Sequence, residues 1–369
     1  MKFICQGLDL SDAVLKVIRA ASTKTVNPIL EGIKIEAKED TLILTATNME
    51  LSIEKIIDAD VKVSGETIVP GKVFAEFVKK ISNEEIEFEL TEENKLKIKY
   101  MDSEVYLQCL NVKDFPVIRK VETNNTLNVN KTEFKKIIDK TIFCASIDDS
   151  RPILKGCLFN IENNTMTSIA LDGYRLALYK MKINENINGL KCIVPTASLN
   201  EISKLLITAN KDETSRVMIS NKYIMVEDGR TRIISRLLEG EFVNYKQVIP
   251  TNFNMSFLVN KTQLEDGIER ASLLSKQDKN NLVKLEINEN LLTLSSTSSI
   301  GKIKENLSIE TNGENLTIAF NSKYLSDSVR NVSEEIIKVN FVSSFAPCTI
   351  TSLTNENFLY LILPVRIVE

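Results

Sequence analysis

Pro28-Ile29-Leu30-Glu31-Gly32 is followed, 124 residues on, by Pro152-Ile153-Leu154-Lys155-Gly156. This near-repetition decides how the chain is organised. Ile68-Val69-Pro70 returns as Ile193-Val194-Pro195, and a looser Ile318-Ala319-Phe320 lies a further 125 residues along. Asp114-Phe115-Pro116 has its counterpart in Glu241-Phe242-Val243. A fixed period marks a repeated structural unit. Three units of about 120 residues account for all 369 residues, with boundaries expected at 1–118, 119–245 and 246–369.

Each unit carries the same elements in the same order. Leu10, Ala13, Val14, Val17, Ile18 and Ala21 fall on one face of a helix, and Phe134, Ile137, Ile138, Thr141, Ile142 and Ala145 repeat that spacing. In the third unit the stripe from Leu264 through Ile268 and Ala271 is interrupted by Gly267 and Ser272. Asn130-Lys131-Thr132 and Asn260-Lys261-Thr262 offer side-chain oxygens to cap these helices. Alternating strands follow, such as Thr41-Leu42-Ile43-Leu44 and Leu292-Thr293-Leu294. A second helix comes next, with Phe74, Phe77, Val78 and Ile81 matched by Leu199, Ile202 and Leu206 and by Leu325, Ser328, Val329 and Val332. The pattern predicts an α+β module of two amphipathic helices on one face of antiparallel sheet.

Composition removes several functions. The chain has no histidine, no Walker A run and no G-x-G-x-x-G, which leaves His-based nucleophile systems and phosphate-cradling loops without their residues. Six scattered cysteines (Cys5, Cys109, Cys144, Cys157, Cys192, Cys348) form no C-x-x-C pair and read as buried, reduced thiols rather than a zinc site or disulfide frame. No stretch approaches about 18 apolar residues in a row, so a cytoplasmic location and no membrane partner are expected. No cofactor, no metal and no catalytic residue is assigned.

Charge is distributed unevenly. The six helical windows (10–24, 71–81, 131–146, 195–207, 260–276 and 321–333) together carry +7, while the whole chain is −4, leaving −11 elsewhere. That segregation fits a helical side that faces phosphate. No recognition helix, zinc finger or aromatic stacking platform is evident, so sequence-specific readout is not expected.

Met1-Lys2-Phe3, Pro28-Ile29-Leu30, Arg151-Pro152-Ile153-Leu154-Lys155-Gly156, Leu171-Asp172-Gly173-Tyr174-Arg175-Leu176-Ala177 and Tyr360-Leu361-Ile362-Leu363-Pro364-Val365-Arg366-Ile367 resemble the bacterial beta sliding clamps, the DNA polymerase III beta subunits, over the full length. The resemblance implies a DNA-clamp fold: three similar domains, each with two helices on antiparallel sheet, arranged as half of a ring. Two copies would close head to tail around double-stranded DNA, held by topology and without sequence preference. Further partners implied are the replicative DNA polymerase catalytic subunit, the clamp loader, and other clamp-binding repair and replication proteins. It places Lys24, Lys79, Lys80, Lys136, Lys140 and Arg151 toward DNA, and Val105 and Leu107 against Leu273 and Leu274 at the contact between subunits. It also implies a hydrophobic groove between the second and third domains. Leu154, Leu171, Gly173, Tyr174, Arg175 and Leu176 would contribute from the central unit, followed by Val243 and Val248. From the third unit come Phe345, Pro347, Leu361, Leu363, Pro364, Val365 and Arg366. Arg175 and Arg366 are expected at its edges, orienting a short extended peptide with Leu and Phe anchors. Some of the Leu and Val residues are expected to be ordinary core.

The chain departs from the family at Leu171 and Tyr174, where Thr and His are frequent, which points to a more apolar groove. Gln247 stands where a basic residue can occur, and Val368-Glu369 extend past the usual end. Ser295-Ser296-Thr297-Ser298-Ser299 replaces an acidic stretch, so the dimer leans on apolar contact and strand pairing. Two other readings remain: an enzyme, for which the chemistry-bearing motifs are missing, and a repeat-built scaffold that binds proteins but never DNA.

Overall fold

The two recurring phrases turn out to be packing partners. In a computed structural model of the chain, Pro28–Glu31 and Pro152–Lys155 each form one 3-10 turn with proline at its start. Gly32 and Gly156 then enter strands opposite Pro70 and Pro195. A Cβ on Gly32 would stand 2.5 Å from Ile68 Cγ2, and one on Gly156 2.7 Å from Ile193 Cγ2. The glycine of one phrase is therefore required by the isoleucine of the other. The structure describes all residues except 24, 82, 120, 186, 208–209, 211–212, 276–280, 355 and 367–369.

The first module runs β1 (Lys2–Gln6), α1 (Gly7–Val17), β2 (Gly32–Lys38), β3 (Thr41–Thr47), β4 (Leu51–Asp58), β5 (Asp60–Val63), β6 (Gly65–Pro70), α2 (Gly71–Lys80), β7 (Glu85–Leu90), β8 (Lys95–Tyr100) and β9 (Ser103–Gln108). The central module runs β10 (Thr126–Asn130), α3 (Lys131–Ile142), β11 (Gly156–Glu162), β12 (Thr165–Leu171), β13 (Arg175–Lys182), β14 (Leu190–Pro195), α4 (Thr196–Leu205), β15 (Thr214–Ile219), β16 (Tyr223–Asp228) and β17 (Thr231–Arg236). The last runs β18 (Met255–Asn260), α5 (Lys261–Ser275), β19 (Leu282–Asn288), β20 (Leu291–Ser298), β21 (Gly301–Ser308), β22 (Glu310–Gly313), β23 (Leu316–Asn321), α6 (Ser322–Arg330), β24 (Ile336–Phe341), β25 (Cys348–Thr351) and β26 (Phe358–Ile362). The fold is α+β, and among the described residues every strand pair is antiparallel.

Helix burial follows the periodicity. Leu10, Ala13, Val14 and Val17 of α1 are fully buried, as are Phe134, Ile137 and Ile138 of α3, each large side chain contributing roughly 1.5–3 kcal/mol. Ile18 lies past the end of α1, in a 3-10 turn, and is only half-buried. Gly267 and Ser272 do not interrupt the face of α5 but belong to it. Both are buried, and a Cβ on Gly267 would come 3.0 Å from Leu294 Cδ1, so the missing side chain is what lets the helix settle on the sheet. Asn260 caps α5 by accepting from Gln263 N at 3.1 Å. All six cysteines are free and buried, and burial pushes the Cys5, Cys157, Cys192 and Cys348 thiols up to about 12.

The chain packs as two compact units, residues Met1–Thr132 with Ala197–Leu237, and Glu133–Thr196 with Leu238–Glu369. In the first, β17 pairs with β4, making an eight-stranded sheet in the order β10-β15-β16-β17-β4-β3-β2-β6 beside the five-stranded β5-β1-β7-β8-β9. In the second, β26 pairs with β13 in a nine-stranded sheet, β14-β11-β12-β13-β26-β25-β24-β18-β22, beside the four-stranded β21-β20-β19-β23. No helix among the described residues is long and apolar enough to cross a membrane.

Candidate peptide-binding site

The turn from β12 to β13 is Asp172-Gly173-Tyr174. Its conformation is written locally: Asp172 Oδ1 accepts from Tyr174 N at 2.9 Å and Arg175 N at 3.0 Å, an Asx-type turn. Gly173 supplies the positive φ, +96°. Arg175 then points inward. Its Nε donates to Asp172 Oδ2 at 3.0 Å, one terminal nitrogen to Asp327 Oδ2 at 2.7 Å, and the other to Phe143 O at 2.9 Å. The guanidinium also lies 4.6 Å from the centroid of the Tyr324 ring. Arg175 is therefore not the exposed rim cation that the sequence reading expects. It is 8% exposed, and each of its three nitrogens makes a bond, to the turn, to α6 and to the Phe143 carbonyl just after α3, because a buried charge is tolerated only when it is paired and hydrogen-bonded.

The two family motifs meet at this turn. Leu363 N donates to Tyr174 O at 2.8 Å, and Val365 N to Ala319 O at 2.8 Å, so the residues after β26 run between the turn and β23. Tyr174 itself is 60% exposed, its ring stacked on Tyr324 with centroids 6.0 Å apart at 23°. Arg175, Tyr324 and Tyr174 form three successive layers, buried, half-buried and exposed in turn. Burial raises the Tyr324 hydroxyl above its ordinary value.

Register builds the apolar floor. Leu171 pairs with Leu176, and Leu176 with Leu361, so all three point from the same face of the nine-stranded sheet. With Leu154, Leu158, Ile169, Leu178 and Tyr245 they form one buried cluster, against which Leu238, Phe242 and Ile249 pack. Leu154, Leu171, Leu176 and Leu361 are thus core, as some of the apolar candidates were expected to be. Val243, Val248 and Leu363 remain exposed, Phe345 is 80% exposed on the loop between β24 and β25, and Pro347, Pro364 and Val365 are half-buried. Gly173 and Arg366 are exposed. The result is a leucine floor with an apolar rim, suited to an extended peptide with large apolar anchors.

The residues expected at DNA fare unevenly. Lys79 and Lys80 are exposed in the last turn of α2. Lys136 is half-buried, 5.7 Å from the centroid of the Tyr179 ring. Lys140 is not a free cation, since its Nζ donates to Asn331 O at 2.5 Å and burial lowers its affinity for its proton. Arg151 is exposed, and one of its guanidinium nitrogens lies 3.1 Å from where a Cβ on Gly173 would stand, so it lies over the β12–β13 turn. Lys24 lies outside the described residues, as do Val368 and Glu369. Val105 and Leu107 are half-buried on β9, Leu273 is exposed and Leu274 half-buried on α5.

Sequence reading missed Asp327, Tyr324 and Phe143, the partners that hold Arg175, and Phe242 and Tyr245 over the floor. Tyr324 and Asp327 sit three apart on α6, off its buried stripe of Leu325, Ser328 and Val329. A Tyr–Asp pair sharing a helix face outside the apolar stripe is the signal that was available.

Comparison with known proteins agrees along the whole chain. Residues 1–119, 128–244 and 246–366 match the N-terminal, central and C-terminal domain models of the DNA polymerase III beta subunit. A beta sliding clamp of Staphylococcus epidermidis is 31% identical over 359 residues, covering 95% of each chain. A DNA polymerase sliding clamp structure from Bacillus subtilis superposes with a TM-score of 0.96 at 30% identity, covering 100% of both chains. A DNA polymerase III beta subunit from Thermotoga maritima does so with a TM-score of 0.92 at 28% identity, again over 100% of both.

Proposed function

The chain belongs to the DNA polymerase III beta subunit family, the bacterial beta sliding clamps, and from that premise we propose that two copies join head to tail into a ring enclosing duplex DNA without reading its sequence. The observation that supports the ring best is which strands are left over. β4, β13 and β21 hold equivalent places in their modules, and so do β9, β17 and β26. Two of the three pairings between these sets are made within the chain, β17 with β4 and β26 with β13. β9 and β21 remain, each at the edge of its sheet. An open edge is a row of unpaired N–H and C=O groups that another strand can satisfy. A second copy supplies it: β9 of one chain lies antiparallel to β21 of the other, twice over, and closed two-fold symmetry results. Val105 and Leu107 then meet Leu273 and Leu274 of the partner subunit.

On this reading the modules divide near 118/119 and 245/246, and the ring is a non-catalytic processivity factor of the cytoplasm. Lys79, Lys80, Lys136 and Arg151 face the phosphates. Enclosure needs only weak attraction, since many tight phosphate pairs would add friction and salt sensitivity. The groove over the leucine floor takes an extended peptide from the replicative polymerase, the clamp loader or other replication and repair proteins.

Sedimentation at micromolar concentration is expected to give twice the chain mass of 41.6 kDa, and a strict monomer there would overturn the ring. Protein loaded on a nicked circle by a clamp loader and ATP should stay on the circle and leave when the DNA is cut to a line. Retention on free-ended DNA would mean that it grips by contact. Arg366→Ala, or removal of the chain from Leu363 onward, should abolish polymerase binding while the dimer persists. Unchanged binding would show that the groove lies elsewhere.

A further inference from the structure

Beside the groove, the same face of the nine-stranded sheet carries a second concavity of about 720 Å³. Its floor follows from register. Leu178 pairs with Leu359, Leu359 with Thr351, and Thr351 with Lys338. These four side chains therefore form one row across four strands, pointing the same way. The row lies two residues along from Leu176 and Leu361 of the leucine floor. Lys180 stands beyond Leu178 on β13, its N–H bonded to Asn357 O at 2.7 Å. Ile249 and Phe253, from the segment leading into β18, also line the cavity.

The chemistry of the lining is specific. Apolar side chains lie between two ammonium groups, Lys180 and Lys338, and neither has an anionic partner among the described residues. Glu356 is the one carboxylate among the described lining residues, and it is exposed. Two half-buried cations around an apolar floor favour a ligand that is itself both apolar and acidic. The cavity shares Leu178, Ile249 and Leu359 with the leucine cluster and its packing partners, and one two-residue step along a strand is about 7 Å. An extended chain leaving the leucine floor reaches the second row within two or three residues.

We infer that this cavity is a second docking subsite, and that it takes an acidic, leucine-type segment flanking the groove-bound stretch of a protein partner. The apolar side chain rests on Leu178 and Leu359, while the carboxylates meet Lys180 and Lys338. The choice of partner rests on the groove reading above, whereas the cavity and its two unpaired cations do not.

The test uses the full chain and peptides that share one core with Leu and Phe anchors. The core carries, at either end, a Glu-Leu-Asp-Leu, a Gly-Ser-Gly-Ser or a Lys-Leu-Lys-Leu flank, and binding is read by fluorescence anisotropy. The acidic flank should bind about fivefold tighter than the neutral one, the size of two modest ion pairs, and the basic flank no tighter than neutral. The gain should vanish in about 0.5 M salt and in the variant Lys180→Gln/Lys338→Gln, which leaves binding of the core unchanged. An acidic flank no better than Gly-Ser, or a gain that survives the double substitution, overturns the inference. The acidic flank alone, at millimolar concentration, should shield Lys180 and Lys338 from acetylation. If the core itself fails to bind, the groove reading falls and shielding alone decides: protected lysines keep the subsite, and unprotected ones remove it.

Discussion

One turn is built twice in this molecule from different residues. Between β3 and β4, Asn48 Oδ1 accepts from Glu50 N at 3.0 Å and Leu51 N at 2.8 Å. Between β12 and β13, Asp172 Oδ1 accepts from Tyr174 N and Arg175 N at 2.9 and 3.0 Å. Arg236 N donates to Glu50 O at 2.8 Å, and Leu363 N to Tyr174 O at the same distance. Leu51 pairs with Ser235 across one sheet junction, as Arg175 pairs with Ile362 across the other. The backbone needs only an Asx residue and a positive φ, which Met49 (+77°) and Gly173 (+96°) both adopt. What differs is the chemistry placed on that frame. Asn-Met-Glu-Leu buries a leucine, whereas Asp-Gly-Tyr-Arg buries a paired guanidinium and presents a stacked tyrosine. Since an aliphatic residue suffices at the first junction, Arg175 is not there for the turn. It fixes α6, and with it Tyr324, behind the exposed Tyr174.

The largest effect that would break this comparison is at Arg175. Arg175→Ala leaves Asp327 without its buried partner and should cost about 3–5 kcal/mol, read as a fall in the urea midpoint followed by tyrosine fluorescence. Arg175→Leu/Asp327→Leu, which copies the chemistry of the first junction, should recover most of that loss but not peptide binding, because Tyr324 loses its cation. A double variant as unstable as Arg175→Ala would mean that the second junction cannot be built in the manner of the first.

Next in size is the residue at positive φ. Gly173→Met imports the first turn's residue into a backbone at +96° and should cost about 1–2 kcal/mol, with Arg151 displaced from its place over the glycine. A neutral result would show that the glycine is there for the groove and not for the turn.

How far such features could be seen in the sequence depends on their range. Asp172-Gly173 is readable because an Asx turn and a left-handed glycine act within four residues. The helix stripes of α1 and α3 are readable for the same reason, although Ile18 and Ala21 fall beyond the end of α1, and the face of α5 is misjudged because Gly267 is buried for close approach and scores as a gap. Arg175 is recognisable as a motif, but its environment is not, since Asp327 lies 152 residues away on another helix. The nearly unbroken apolar runs of β13 and β26 mark strands buried on both faces and are silent about which strand pairs with which. The junction Tyr179 with Phe358 and the open edges of β9 and β21 therefore emerge only from the assembled topology. Lys140 shows the same limit: charge on a helix is visible, but the carbonyl of Asn331 that engages it is not.

The smallest effect is the converse substitution, Met49→Gly. Met49 is 61% exposed, so its side chain contributes little packing, while its φ of +77° is one that a side chain with a Cβ adopts at a cost near 1 kcal/mol. Glycine removes that cost but adds freedom to the unfolded chain, which offsets part of the gain. The net expectation is a stabilisation of about 0.5 kcal/mol, seen as a small rise in melting temperature with no change in dimer mass or peptide binding. Destabilisation would mean that Met49 makes contacts in the ring that are absent from a single chain. The first turn would then carry a function of its own, and the contrast between a structural turn and a functional one would have to be drawn elsewhere.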